Sequence, residues 1–140
     1  MVARKDGHSL DETIDGYLRL WGYLNGAFPL DQDMAKKYTI DLLSRSTHKP
    51  HVGNNHELVM RKLASELPKR RYYLERIHIP TLVVHGERDP LALQRDGRAI
   101  AHAIARAQLL LIPGMGHMFF HRELESIIAE LVLEHLKNQS

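Results

Sequence analysis

The stretch Pro80-Thr-Leu-Val-Val-His-Gly-Glu-Arg-Asp-Pro90 joins a short apolar, β-branched run to a polar turn that carries an acid, Asp89. A second apolar run, residues 109–112, leads into the glycine-rich turn Pro113-Gly-Met-Gly-His117. Short apolar runs bounded by turn residues are typical of buried parallel strands. We therefore predict adjacent parallel strands over residues 81–85 and 108–112, whose ends bring Asp89 and His117 to one edge of the sheet.

The sequence changes its hydrophobic period near Pro80. Before Pro80, apolar residues recur at three- and four-residue steps, which predicts amphipathic helices over residues 10–24, 31–45 and about 59–67. Ser9 and Glu12 have the spacing of a capping box at the first helix, and Pro68 is expected to end the third. After Pro80 we expect a βαβα tail with helices over residues 96–105 and 123–136. The predicted fold class is α/β, with a helical segment 1–78 and a βαβα segment 79–140.

Composition narrows the classes of function. The chain has 140 residues, 44% of them hydrophobic and 26% charged, which is typical of one globular domain. It contains no apolar run of membrane-spanning length, no apolar stretch at its start and no cysteine, so we expect no membrane span and a cytoplasmic protein. A net charge of +2, with only one short basic cluster at Lys69-Arg70-Arg71, argues against nucleic-acid binding.

In this order, the two turn motifs resemble the C-terminal part of the α/β-hydrolase superfamily, in its esterase and lipase-like branch, over residues 79–137. The helical first half resembles the cap, or lid, of these enzymes. The resemblance implies that Asp89 is the triad acid and His117 the general base, with the carboxylate fixing the imidazole tautomer and stabilising the imidazolium. It also implies a small ester-like substrate and no cofactor.

The nucleophile is the point at which the sequence departs from this family. No Gly-x-Ser-x-Gly occurs, and the nearest candidate, Gly7-His-Ser-Leu-Asp11, lacks both the apolar strand before it and the small residues after it. We therefore expect a truncated, carboxylesterase-like hydrolase that supplies the acid and histidine and is inactive as the isolated chain. Two alternatives stay open. The nucleophile is Asp, as in epoxide hydrolases and dehalogenases, or the chain is a non-catalytic fragment or half-domain that associates with a partner chain.

An unpaired strand edge is a further expectation of this tail. Two parallel strands make a narrow sheet, and an exposed edge favours pairing with another chain. The sequence therefore predicts a homo-oligomer formed through that edge, or a marginal and aggregation-prone fold.

The remaining histidines and aromatic residues have plainer interpretations. His48, His51 and His56 share one segment without the carboxylate or thiolate that would complete a metal site, so no metal is expected. His85 is expected to be structural. Two apolar groups either line a substrate pocket or pack in the core: Tyr17, Trp21 and Tyr23; and Met115, Met118, Phe119 and Phe120.

Overall fold

The computed structural model describes residues 9–45 and 67–139, with the backbone alone at 67–70, and contains three helices followed by a βαβα tail. The helices of the first part are α1 Leu10–Leu24, α2 Gln32–Arg45 and α3 Leu67–Leu74. The tail comprises β1 Thr81–Gly86, α4 Gln94–Ala103, β2 Ala107–Ile112 and α5 Arg122–Lys137. None of the helices in these residues is long and apolar enough to cross a bilayer.

The two strands pair in parallel, from Thr81 opposite Ala107 to Gly86 opposite Ile112. The predicted strand pair and its direction are therefore confirmed. The expectation that both strands are buried is wrong, because most of their side chains are only half-buried. Within residues 9–45 and 67–139 the sheet has two strands, so each has one hydrogen-bonded neighbour and incomplete cover on its faces.

Side-chain caps set the starts of the first two helices. The Ser9 hydroxyl accepts a hydrogen bond from the Glu12 N–H at 3.1 Å, and the Glu12 carboxylate accepts one from the Ser9 N–H at 2.6 Å. This is the predicted capping box, which satisfies two N–H groups that lack acceptors within the helix. At α2, Asp31 accepts the N–H groups of Met34 and Asp33. The Met34 bond is the main reason that the pKa of Asp31 lies below its ordinary value.

The prediction that Pro68 ends a helix is wrong. Helix α3 begins at Leu67, so Pro68 lies in its first turn and the helix continues to Leu74. Proline is compatible with this position because the first N–H groups of a helix have no acceptor within the helix. Apart from Leu67, the helix expected over residues 59–67 lies outside the described residues.

The core around Trp21 joins the helical segment to the tail. Trp21, Leu24 and Ala35 pack with Phe120, which comes from the loop before α5. The Trp21 indole N–H donates to the buried Thr39 hydroxyl at 2.9 Å. Trp21 is therefore a core residue.

A second core lies between the sheet and α5. It is formed by Ile112, Met115 and Leu124, with Ile127, Ile128 and Leu131 packed against it. The four residues of the last helix that were expected to face inward, Leu124, Ile127, Ile128 and Leu131, do so.

Asn25 connects the end of α1 to the loop before α5. Its side chain is fully buried, its Oδ1 accepts the Phe120 N–H at 2.9 Å, and its Nδ2 donates to the carbonyls of Phe28, Pro29 and Phe120. Phe120 lies 95 positions farther along the sequence. The end of α1 is therefore fixed against the loop that precedes α5.

Three turns meet in backbone-to-backbone contact at what we call the turn junction, residues 24–26, 86–89 and 113–118. The N–H groups of His117 and Met118 both donate to the Leu24 carbonyl, at 2.8 and 3.0 Å, and the Arg88 N–H donates to the Met115 carbonyl at 2.9 Å. A methyl group on Gly116 would overlap the Leu24 carbonyl oxygen. Because the opposing atoms belong to the backbone, no side-chain rotation can relieve that overlap.

We expect Gly116→Ala to lower the free energy of unfolding by more than about 3 kcal/mol, because the new methyl forces the junction apart. The matched control is Gly22→Ala on the exposed side of α1, where an added Cβ meets no atom within 4 Å. That control should raise stability by about 0.5–1 kcal/mol through helix propensity. Urea unfolding followed by circular dichroism measures both variants, and equal stability of the two would contradict the junction's geometry.

Candidate active site

Asp89 lies in the turn that follows β1, where its Oδ1 accepts the backbone N–H groups of Leu91 at 2.8 Å and Ala92 at 2.9 Å. An Asp side chain that caps its own turn in this way is held in one orientation, and Pro90 restricts the backbone between them. The side chain is only 6% exposed. Burial by itself raises the pKa of the Asp89 carboxyl, but hydrogen bonds from Ala92, His117 and Leu91 outweigh it, so the pKa lies below its ordinary value.

His117 lies in the loop after β2, and its backbone N–H is fixed on the Leu24 carbonyl. Its ring Nδ1 lies 2.9 Å from Asp89 Oδ2. The predicted proximity of the two residues at the strand ends is therefore confirmed. Within the described part of the chain, Asp89 is the only hydrogen-bond partner of this ring, which remains 41% exposed.

The proton positions follow from the acceptor chemistry of the carboxylate. An ionised Asp89 can only accept hydrogen bonds, so Nδ1 of His117 carries the hydrogen between them. In a neutral imidazole the other nitrogen, Nε2, then has the free lone pair. The arrangement can accept a proton at Nε2 and stabilise the resulting imidazolium through Asp89.

An apolar groove is lined in part by the residues that directly follow His117 in sequence. Met118 and Phe119 line it together with Met34, Tyr38 and Phe120, and its volume is about 460 Å³. Lys37, Asp41 and Glu125 are its polar lining residues. Met118, Phe119 and Phe120 thus all line the groove, and Phe120 and Met118 also pack in the Trp21 core. Tyr23 is 68% exposed.

The other histidines form no metal site in the residues that the structure describes. No group of three or more His, Cys, Asp or Glu side chains converges there. His121 precedes α5 and packs its ring on Phe28, with 5.2 Å between the centroids. His48, His51 and His56 lie outside the described residues.

Sequence reasoning missed the residues that position the histidine loop. The Leu24 carbonyl and the Asn25 side chain hold this loop, yet the only local signal is an asparagine directly after a predicted helix. That signal indicates a helix end. It carries no information about a partner 95 positions away.

Comparison with known proteins supports a hydrolase-like fold. No known family model matches the sequence. Among solved structures, the chain is similar to a His-tagged serine hydrolase involved in carbazole degradation, the CarC enzyme, with a TM-score of 0.58 and 20% identity. The match covers 89% of this chain and 47% of the CarC chain, so this chain spans about half the length of that hydrolase. The likeness confirms the predicted α/β-hydrolase fold class.

We expect Asp89→Asn to lower the free energy of unfolding by about 2 kcal/mol at neutral pH. The carboxylate accepts from Leu91 and Ala92 on one oxygen and from His117 on the other, whereas an amide has a single oxygen and carries no charge. The pKa of Asp89 is lower in the folded chain than in the unfolded chain. The stabilisation is therefore complete above the unfolded pKa of about 3.9 and is lost as the pH falls through the folded value.

The stability difference between wild type and Asp89→Asn should thus be constant at neutral pH and shrink below about pH 4. Urea titrations from about pH 7 to pH 3 measure it. Asp15→Asn, which removes an exposed carboxylate on α1, serves as the control for net charge and should change stability by less than about 0.5 kcal/mol. A difference that grows on acidification would contradict the assigned direction of the pKa shift.

Proposed function

We propose that this chain provides the acid, Asp89, and the general base, His117, of a serine-hydrolase-type active site for a small ester-like substrate. The observation that carries the proposal is the 2.9 Å contact between Asp89 Oδ2 and His117 Nδ1. Because an ionised carboxylate only accepts, Nδ1 is the donor and Nε2 is left as the basic atom. The likeness to the CarC serine hydrolase supports it at the level of fold.

In the proposed reaction a nucleophilic hydroxyl attacks the ester carbonyl carbon and its proton moves to Nε2 of His117. Collapse of the tetrahedral intermediate returns that proton to the leaving alkoxide, which departs as an alcohol. A water molecule then repeats the sequence on the acyl-enzyme: it gives a proton to Nε2, and the nucleophile recovers that proton as the acid product leaves. Asp89 remains ionised and stabilises the imidazolium in both halves of the cycle.

The nucleophile and the oxyanion donors are proposed to come from outside these 140 residues. The sequence has no Gly-x-Ser-x-Gly, and the Ser9 hydroxyl is engaged in the capping box of α1. Loss of the nucleophile alone removes most of the rate enhancement of a triad. The isolated chain is therefore proposed to be inactive, with residues 1–78 as a lid-like segment and 79–140 as the part that carries the acid and base.

Two other assignments use the same geometry. With an Asp nucleophile, as in epoxide hydrolases and dehalogenases, the Asp89–His117 pair would activate the water that hydrolyses the covalent ester. With no nucleophile, the chain would be a half-domain whose half-buried strands are covered by a partner chain or a second copy, and the exposed side chains of Leu133 and Leu136 on α5 are compatible with such cover.

The experiment compares the 140-residue chain with the translated product of any open reading frame that continues upstream of Met1. For the longer product we expect hydrolysis of p-nitrophenyl esters, with a loss of about ten-thousand-fold or more in kcat for His117→Ala and about ten-thousand-fold for Asp89→Asn. His102→Ala, an exposed histidine in the last turn of α4, is the matched control and should leave kcat unchanged.

The outcomes separate the three assignments. Ester hydrolysis that survives His117→Ala would contradict the proposed base. Turnover of epoxides or haloalkanes in place of esters would assign an Asp nucleophile. His117-dependent turnover by the 140-residue chain alone would place the nucleophile within it. A stable oligomer without hydrolysis, from a frame that encodes no apolar strand followed by Gly-x-Ser-x-Gly upstream, would favour the half-domain.

A further inference from the structure

His85, which the proposed reaction does not use, contacts the turn that holds the acid. It is half-buried on β1, and its ring Nε2 lies 3.0 Å from the Ala92 carbonyl oxygen. A carbonyl can only accept, so Nε2 of His85 carries the hydrogen. The N–H of the same residue, Ala92, donates to Asp89 Oδ1 at 2.9 Å. Both backbone polar groups of Ala92 are therefore engaged, one by His85 and the other by Asp89.

The absence of a side chain at Gly97 leaves room for the His85 ring. Gly97 on α4 is buried directly against it, and a Cβ at that position would lie 2.8 Å from Cγ of His85 and 2.9 Å from Nδ1. Contacts that short require the ring to move. The small residue at position 97 thus permits the ring position from which Nε2 reaches Ala92.

Side-chain burial gives the end of this turn, residues 91–93, little support. Leu91 and Leu93, on either side of Ala92, are 60% and 42% exposed, so burial of their side chains does not hold this segment in place. Hydrogen bonds hold it instead: the Leu91 and Ala92 N–H groups donate to Asp89, the Leu93 N–H donates to Asp96, and the Ala92 carbonyl accepts from His85. An apolar residue at position 85 would fill the space but leave that carbonyl without its donor.

We propose that His85 is a positioning residue for Asp89: it holds the Ala92 carbonyl, which keeps the Ala92 N–H on Asp89 Oδ1 and Asp89 Oδ2 directed at His117. The catalytic importance of this chain of contacts rests on the proposed function. The contacts themselves are a property of the folded chain and can be measured without any reaction.

The test is the tautomer of the two histidine rings, read from ring nitrogen chemical shifts by NMR at a pH of about 8, where an ordinary imidazole is neutral. In the wild-type chain we expect His117 as the Nδ1–H form and His85 as the Nε2–H form. His85→Leu should convert His117 from one tautomer to a mixture, because the Ala92 N–H is no longer held on Asp89 Oδ1. His85→Gln, which keeps an N–H donor of similar reach, should retain the single Nδ1–H form. A His117 that stays purely Nδ1–H in folded His85→Leu would overturn the proposal.

Gly97→Ala provides a second route, because it displaces the His85 ring without removing it. It should also produce a tautomer mixture at His117. In a His85→Ala background, adding Gly97→Ala should cause no further change in the His117 tautomer, because the ring that it displaces is already absent. If His85→Leu does not fold, this variant gives the same test. An unchanged His117 tautomer in Gly97→Ala, with the ring of His85 shown to have moved, would equally overturn the proposal.

Kinetics on an active longer product separate this proposal from the proposed function. His85→Leu should lower kcat about tenfold with little change in KM, and His85→Gln should restore kcat. An inactive longer product with the expected tautomer changes would reject the hydrolase assignment and leave the positioning role of His85 intact. Full activity together with an unchanged His117 tautomer in His85→Leu would reject the positioning role alone.

Discussion

The contact on which the structure depends is that of the three turns at the turn junction. The Leu24 carbonyl receives two N–H groups from the histidine loop, and the same loop receives the Arg88 N–H through the Met115 carbonyl. The end of α1, the acid turn and the histidine loop are thereby fixed to one another by backbone atoms. Gly86 and Gly116 permit this approach, because a side chain at either would overlap opposing backbone oxygens.

This constraint has a direct consequence for the candidate site. Asp89 and His117 lie 28 positions apart on different turns, yet their side chains meet at 2.9 Å. The junction places the two backbones, while the Ala92 and Leu91 N–H groups orient the Asp89 carboxylate within its turn. The same hydrogen bonds keep the pKa of Asp89 low, so the acid is ionised at neutral pH and favours a hydrogen on Nδ1. The Leu91 and Ala92 N–H groups therefore set both the orientation of the Asp89 carboxylate and its negative charge.

The parts of the molecule that sequence reasoning predicted are those with local signals. The apolar runs bounded by turn residues predicted β1 and β2, and parallel topology then brought Asp89 and His117 together. Ser9 and Glu12 predicted the start of α1, since a capping box needs only four consecutive residues. Pro68 was misassigned because proline is compatible with the first turn of a helix as well as with its end, and the sequence nearby does not distinguish the two. The role of Asn25 was not predictable, since its partner Phe120 is remote in sequence and no periodicity links them.

Hydrogen exchange at the amides of Arg88 and His117 tests the account most directly. Both N–H groups donate to backbone carbonyls of another turn, so opening either requires the turn junction to separate. We predict that these two amides exchange as slowly as the β1 amides that face β2, such as Val83, and that Gly116→Ala accelerates all of them together. Exchange of the Arg88 and His117 amides at the rate of an exposed loop, while Val83 stays protected, would contradict the claim that the junction holds the acid and the histidine in place.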